Sequence, residues 1–212
     1  MKIIQNNLNR FVVQKFITYK LHIGSLKSLW NPKFKPFLNG FRNNFCIINP
    51  ELSVLYLKRA YKILQKIHLS NKKILFIGSP VGLEKEFSYL CIQNNHYFME
   101  KGIYGFFSNY ENKASLNTFN TQISSKQPDV IFIFNPSLNL MVFEETKGLD
   151  IPIISFVSTE DDYFKLDYPI PANIKSKKGG LFVYNLFYYL FTTKVRKFPD
   201  RKIKSRNKIN KY

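Results

Sequence analysis

Three runs, Ile74–Ile77, Val130–Phe134 and Pro152–Val157, are apolar but for Ser155 and show no polar alternation. A strand that offers no residue to water has to be covered on both faces, the condition met by a parallel sheet between helices. Phe45–Ile48 reads as a further buried strand, His96–Phe98 as a short one, and Pro169–Pro171 as extended chain. Helical segments stand between the runs. Asn49-Pro50-Glu51 supplies an N-cap, a proline at the first helical position and an acid facing the helix dipole. Leu52, Leu55, Tyr56, Arg59, Ile63, Leu64 and Ile67 then recur at helical spacing. Glu84–Asn94 predicts a second helix with Phe87, Leu90 and Cys91 on one face. Leu138–Leu149 predicts a third, carrying Met141, Val142 and Glu145, and Gly180–Thr192 an aromatic fourth. Strands alternating with helices define an α/β chain with a parallel sheet.

At 212 residues the chain has room for one domain with tails, and 45% hydrophobic with 17% aromatic residues is enough for a core. Its formal net charge of +18 is unevenly placed. Residues 1–50 carry eight Lys/Arg and no acid, residues 51–173 twelve against thirteen Asp/Glu, and residues 174–212 twelve against one. A near-neutral body between two basic ends points to a polyanionic partner that the ends grip. Residues 1–20 are set apart as a basic N-terminal extension and 193–212 as a basic tail, with the α/β domain over 21–192. No run reaches the roughly 18–20 apolar residues that a bilayer crossing needs.

The stretch from Trp30 to Asn44, WNPKFKPFLNGFRNN, interleaves Lys33, Lys35 and Arg42 with the rings of Trp30, Phe34, Phe37 and Phe41. Pro32 and Pro36 argue against helix and for a preset, extended backbone. Phosphate-seeking charge beside stacking surface suits RNA. Other chemistry is weaker. Gly78-Ser79-Pro80-Val81-Gly82 follows a strand and precedes a helix, where a phosphate could sit, but Pro80 removes a donor and the spacing fits neither dinucleotide fingerprint nor P-loop. Glu144 and Glu145 are adjacent on a helix, point apart and are expected to be solvated. Glu160, Asp161 and Asp162 fall at the carboxyl edge of a strand, where they either hold a divalent cation with a phosphate substrate or instead cap the next turn or pair with basic neighbours in an assembly. The second alternative is preferred. Cys46 and Cys91 are expected as buried free thiols, and His22, His68 and His96 have no ligand spacing with them. No cofactor or metal is expected.

Four blocks resemble the small-subunit ribosomal protein S-two family, in order, from about Leu21 to about Leu190. WNPKFKPFLNGFRNNFCIINPEL, preceded by His22, matches that family's WNPKMKPYIFG-RNGIHIIDL at Trp30, Asn31, Pro32, Lys33, Lys35, Pro36, Gly40, Arg42, Asn43, Ile47 and Ile48. ILFIGSP (74–80) is similar to ILFVGTK, PDVIFIFNP (128–136) to PDALFVIDP, and GLDIPIISFVSTEDDYFKLDYPIPAN (148–173) to LGIPVIALVDTN-DP followed by IDYPIPGND. There are departures. The family's RWLGG-LTN loop keeps only Gly105 and Asn109, and its long helical hairpin is reduced to Tyr110–Gln127. Ser25 replaces a His, Ser158 an Asp, and Ile174 and Lys175 two acids.

The resemblance implies a three-layer αβα, flavodoxin-like body. It implies a non-catalytic constituent of the small ribosomal subunit that binds small-subunit rRNA and neighbouring ribosomal proteins. Hairpin loss, A/T-biased composition and basic ends resemble a mitochondrial member. Implied RNA contacts are His22, Trp30, Asn31, Lys33, Lys35, Arg42 and Asn43, with Lys194, Arg196, Lys197, Arg201, Lys202, Lys204, Arg206 and Lys208 in the tail. The competing reading is an enzyme or sensor binding a nucleotide or sugar phosphate through Gly78–Gly82 and Glu160–Asp162. A third is a protein held on a membrane surface by its tail.

Overall fold

Five parallel strands form the central sheet in the order β5-β4-β6-β7-β8: β4 (Ile74–Ile77), β5 (Tyr97–Met99), β6 (Val130–Ile133), β7 (Ile153–Val157) and β8 (Tyr168–Pro171). In sheet numbering this is 2-1-3-4-5, the flavodoxin-like order that the resemblance implies. The structure, a computed structural model, describes residues 2–107 and 127–192, with side chains from Arg10 onward. Every residue of β4, β6 and β7 is buried, which accounts for their apolar sequences; the one polar residue, Ser155 in β7, donates its hydroxyl to the Ile133 carbonyl. Side chains alternate across the sheet. Ile74, Phe76 and Phe132 enter one core with α2 (Pro50–Leu69), α3 (Glu84–Gln93) and α5 (Lys177–Thr192). Leu75, Ile77, Ile131 and Ile133 enter the other. The first core is a lattice of edge-to-face rings, such as Phe76 on Phe187 at 5.2 Å and 87°. The second is closed by the short α4 (Leu140–Glu145), the loop 102–107 and, through Phe34 and Phe37, the proline-rich stretch. Pro169 and Pro171 lie on the edge strand β8, where missing N–H groups cost the sheet least.

A second sheet precedes this body: β1 (Ile23–Leu26), β2 (Leu38–Arg42) and β3 (Phe45–Ile48), antiparallel, in the order β1-β3-β2. Phe45–Ile48 is therefore a strand, but it is buried on one face alone. The basic N-terminal segment is the helix α1 (Lys2–Thr18). Its Phe16 is fully buried in the first core, with Val12, Val13 and Tyr19 against it.

Three expectations change. α2 begins on Asn49 as read, with Oδ1 accepting from the N–H of Glu51 and Leu52, but its buried row is Val54, Leu57, Ala60 and Leu64, while Leu55 is exposed. The helix is apolar around much of its circumference, so spacing alone leaves the phase open. The helix expected over 138–149 is a 3-10 turn, Pro136–Leu138, followed by the six-residue α4. Asn139 divides them; its amide donates to the Asn135 carbonyl and its Oδ1 accepts from Gly102 N–H. Glu145 is not solvated. Its carboxylate accepts from the N–H groups of Gly105 (2.5 Å) and Phe107 (2.9 Å), fixing the aromatic loop.

His96, 5% exposed, lies below the amino end of β4. Its Nδ1 accepts from Ile74 N–H (3.4 Å), so the neutral ring donates from Nε2 to His68 Nδ1 (3.0 Å). His68 then has its own N–H for the Phe191 carbonyl. This one-way chain requires uncharged rings. Burial, helped by the charges of His68 and Lys73, pulls His96 down from 6.5 to about 3. The unfolded chain takes up a proton near pH 6.5 that the folded chain refuses until about pH 3, so stability is complete above that window and falls as pH drops through it. Urea midpoints measured from pH 8 to pH 4 are expected to decline chiefly below pH 6.5. His96→Gln should be less stable at pH 8 and show a shallower acid limb; an unchanged limb would remove His96 from this role.

Candidate nucleic-acid interface

The arm begins at Asn31, which caps a 3-10 turn over Pro32–Phe37 by accepting from Lys33 N–H (3.0 Å). The expectation of extended chain throughout is thus corrected. Proline's fixed φ is compatible with a 3-10 turn; Pro32 stands at its first position, where no donor is needed, and Pro36 forgoes one bond inside it. Phe34 and Phe37, on its inner side, are 0% and 5% exposed. Their rings meet at 5.2 Å and pack edge-on to Tyr163. These two rings are anchors, unavailable for stacking on a base. Extended chain resumes in β2, and Asn43 and Asn44, at φ 46° and 63°, close the hairpin to β3 between the paired Arg42 and Phe45. Two successive left-handed residues match the twist of a two-residue hairpin, and asparagine is the least strained choice after glycine.

The arm and β1 lie across the carboxyl edge of the large sheet. Gly24 fits against Thr159, just beyond β7, where a Cβ would come 2.5 Å from Thr159 Cγ2. Ser25 N–H donates to Thr159 Oγ1 (2.8 Å), and the two hydroxyls meet at 2.6 Å. Asn31 N–H donates to the Thr159 carbonyl (2.8 Å). Asn173, beyond β8, donates from Nδ2 to the Ile23 carbonyl and from its N–H to the Leu21 carbonyl. The acids complete the seam. Asp162 pairs with Lys33 (3.0 Å) and Glu160 with Lys175 (2.7 Å). The Lys33 bond holds the Asp162 carboxyl below its ordinary pKa. Asp161 is buried and accepts from Ser158 N–H (2.7 Å); burial raises its pKa, opposed by that bond. Asp161 and Asp162 cap the turn after β7, accepting from Ser158 and Phe164 N–H, as the preferred alternative had it, but the basic partners of Glu160 and Asp162 come from this chain rather than from an assembly neighbour. At the Gly78–Gly82 turn, Gly82 N–H donates to Glu84 Oε1 (2.9 Å), and Gly180 of α5 presses on the Val81 backbone, where a Cβ would sit 2.6 Å from the carbonyl oxygen. The arm thus covers the carboxyl ends of β7 and β8, while the turn after β4 is held by its own Glu84 and by α5.

The structure separates the implied contact residues into two groups. Lys35, Arg42 and Asn43 are exposed on the arm and hairpin, and among the described residues Lys35 and Arg42 have no ion pair. Trp30 is half-buried, edge-on to the exposed Phe41 at 5.4 Å. Lys27, whose Nζ lies 5.2 Å from the Phe41 ring centre, joins this surface. It was missed because it lies outside the proline-rich run, although its place three residues before Trp30 was a readable signal. His22 and Asn31 face inward. His22 is half-buried and its carbonyl accepts from Ile48 N–H; burial lowers the ring pKa, opposed by the Phe16 carbonyl. Lys33 stands between the groups: its pair with Asp162 is about half exposed on both sides, and such pairs contribute at most about 1 kcal/mol. The tail residues Lys194, Arg196, Lys197, Arg201, Lys202, Lys204, Arg206 and Lys208 lie outside the described residues, as does most of Tyr110–Gln127.

A flavodoxin-like sheet whose last two strands are covered at their carboxyl ends by its own arm, and whose cationic hairpin turns outward, defines an α/β scaffold built to display a basic surface. The family model described as Ribosomal protein S2 matches residues 16–125 and 108–188, and the chain belongs to that family. Its relatives include "Small ribosomal subunit protein uS2" of Ehrlichia canis, 25% identical over 79% of this chain and 70% of the relative. The protein of the same name from Ureaplasma parvum is 25% identical over 74% of this chain and 56% of its own length. "Small ribosomal subunit protein uS2m" of Schizosaccharomyces pombe is 28% identical over 72% and 64%.

Proposed function

We infer that this chain is a structural constituent of the small ribosomal subunit, carried by the observation that a family member's arm is anchored by its rings while its cations face out. Lys35 and Arg42 contact rRNA phosphates, and Lys33 joins them by exchanging Asp162 for a phosphate at little cost. Trp30 and Asn43 supply stacking and hydrogen bonding. His22 and Asn31, whose backbone bonds are internal, hold the arm in position. The basic tail follows rRNA or a neighbouring protein. The particle is the mitochondrial one, a reading supported by the fission-yeast relative, the basic ends and the short segment before β6.

Sedimentation of a tagged chain tests the assignment: it should travel with mitochondrial small subunits, and absence from those fractions at low salt would overturn it. For the arm, Lys35→Ala/Arg42→Ala is expected to leave the body folded. It should reduce the slope of log affinity against log salt for small-subunit rRNA by about 1.4–1.8, since each phosphate contact contributes about 0.7–0.9. An unchanged slope would place the RNA elsewhere.

A further inference from the structure

The small sheet is apolar on both faces, yet the fold covers one of them. Register assigns the faces. Gly24, Cys46 and Ile48 turn inward and are buried. Ile23 pairs with Ile47, Leu26 with Phe45, Gly40 with Ile47 and Arg42 with Phe45, so these six residues share the outer face. Leu26 and Phe45 are each 43% exposed. Ile23 and Ile47 are half-buried and, among the described residues, belong to neither core nor to the side chains packed against one. A Cβ at Gly40 would meet nothing within 4 Å, leaving a flat open place beside Ile47. The outward face of an antiparallel sheet is normally polar. The uninterrupted Phe-Cys-Ile-Ile sequence of β3 is that of a strand covered on both sides.

We propose that the outer face of β1-β3-β2 is the docking surface for a neighbouring small-subunit protein, through a segment bearing a row of apolar side chains flanked by Asp or Glu. This rests on the ribosomal reading and names one partner for it. Three of the four apolar side chains on this face are aliphatic, and RNA stacks on rings; an RNA backbone laid on Ile23, Leu26 and Ile47 would lose phosphate hydration without return. The rim selects for acid. Arg42 lies on the face itself, and the first carboxylate in the sequence is Glu51.

A full-length chain with p-benzoylphenylalanine at position 45 is assembled into small subunits and irradiated. The expected product is an adduct with a single ribosomal protein, resistant to ribonuclease and sensitive to protease. A parallel chain probed at position 35 should give a ribonuclease-sensitive adduct. Leu26→Asn/Phe45→Asn, which adds no charge beside Arg42, should leave the Tm of the isolated chain within a few degrees and its rRNA salt slope unchanged, while reducing its occupancy in subunits at least tenfold. Incorporation followed by an RNA adduct at position 45, by an internal adduct of the chain's own mass, or by no adduct overturns the proposal alone. Failure to incorporate the unsubstituted chain overturns the ribosomal reading and this one with it.

Discussion

Truncating Phe34 to alanine is expected to lower the unfolding free energy by about 3–5 kcal/mol, the range for emptying a fully buried aromatic site. Phe34 is 0% exposed and lies beneath the arm between Phe37 and Tyr163. The cavity has little means to collapse, because Phe37 is already held edge-on by Tyr56 and Tyr163. The loss should carry a functional signature. Lys33 and Lys35 flank Phe34 in the same 3-10 turn, so loosening the anchor disperses the charges that the turn presents. Association with small-subunit rRNA should weaken even under conditions where the body remains folded. Phe41→Ala is the control: at 44% exposure it should cost about 1 kcal/mol or less. Equal midpoints for the two variants in urea titration would mean that the arm is not tied to the core in the manner described.

The second large effect is expected at Gly24. Alanine there brings a Cβ to 2.5 Å from Thr159 Cγ2, 2.8 Å from its Oγ1 and 3.2 Å from Cys46 Cβ. Thr159 cannot rotate away without abandoning Ser25, whose N–H and hydroxyl both bond to it. Overpacking of this kind costs about 1–3 kcal/mol, and here the lost hydrogen bonds add to it. The seam between the sheets, rather than the central core, should open first, so exchange protection of the Ser25 and Asn31 amides should fall before that of β4 or β6. Thr159→Ser removes the nearest atom and should recover part of the loss in the double variant. If Gly24→Ala is fully tolerated, the small sheet does not press on the large one.

What the sequence disclosed follows from what each segment buries. The runs at 74–77, 130–134 and 152–157 are covered on both faces by this chain, so composition alone identified them as parallel strands. Asn49 was legible as a cap because capping is local chemistry. The phase of α2 was not, because several apolar rows compete and tertiary packing selects one. The arm showed its charge and rings but not their division of labour. Phe34 and Phe37 differ from Phe41 only through Tyr56 and Tyr163, which lie on distant parts of the chain. The links from Thr159 to Ser25 and from Asn173 to Ile23 span 134 and 150 residues, beyond any local pattern. Glu145 was placed in solvent because its two partners are backbone N–H groups some forty residues earlier.

The seal over the carboxyl edge bears on the order of events during particle assembly. A body whose small sheet is tied to the large one by bonds of its own closes its hydrophobic centre without waiting for any guest molecule, and should reach the growing particle as a finished block. Docking then asks only for an orientation, and mutations in this seam should be felt as a shortage of mature chain before they are felt as faulty decoding.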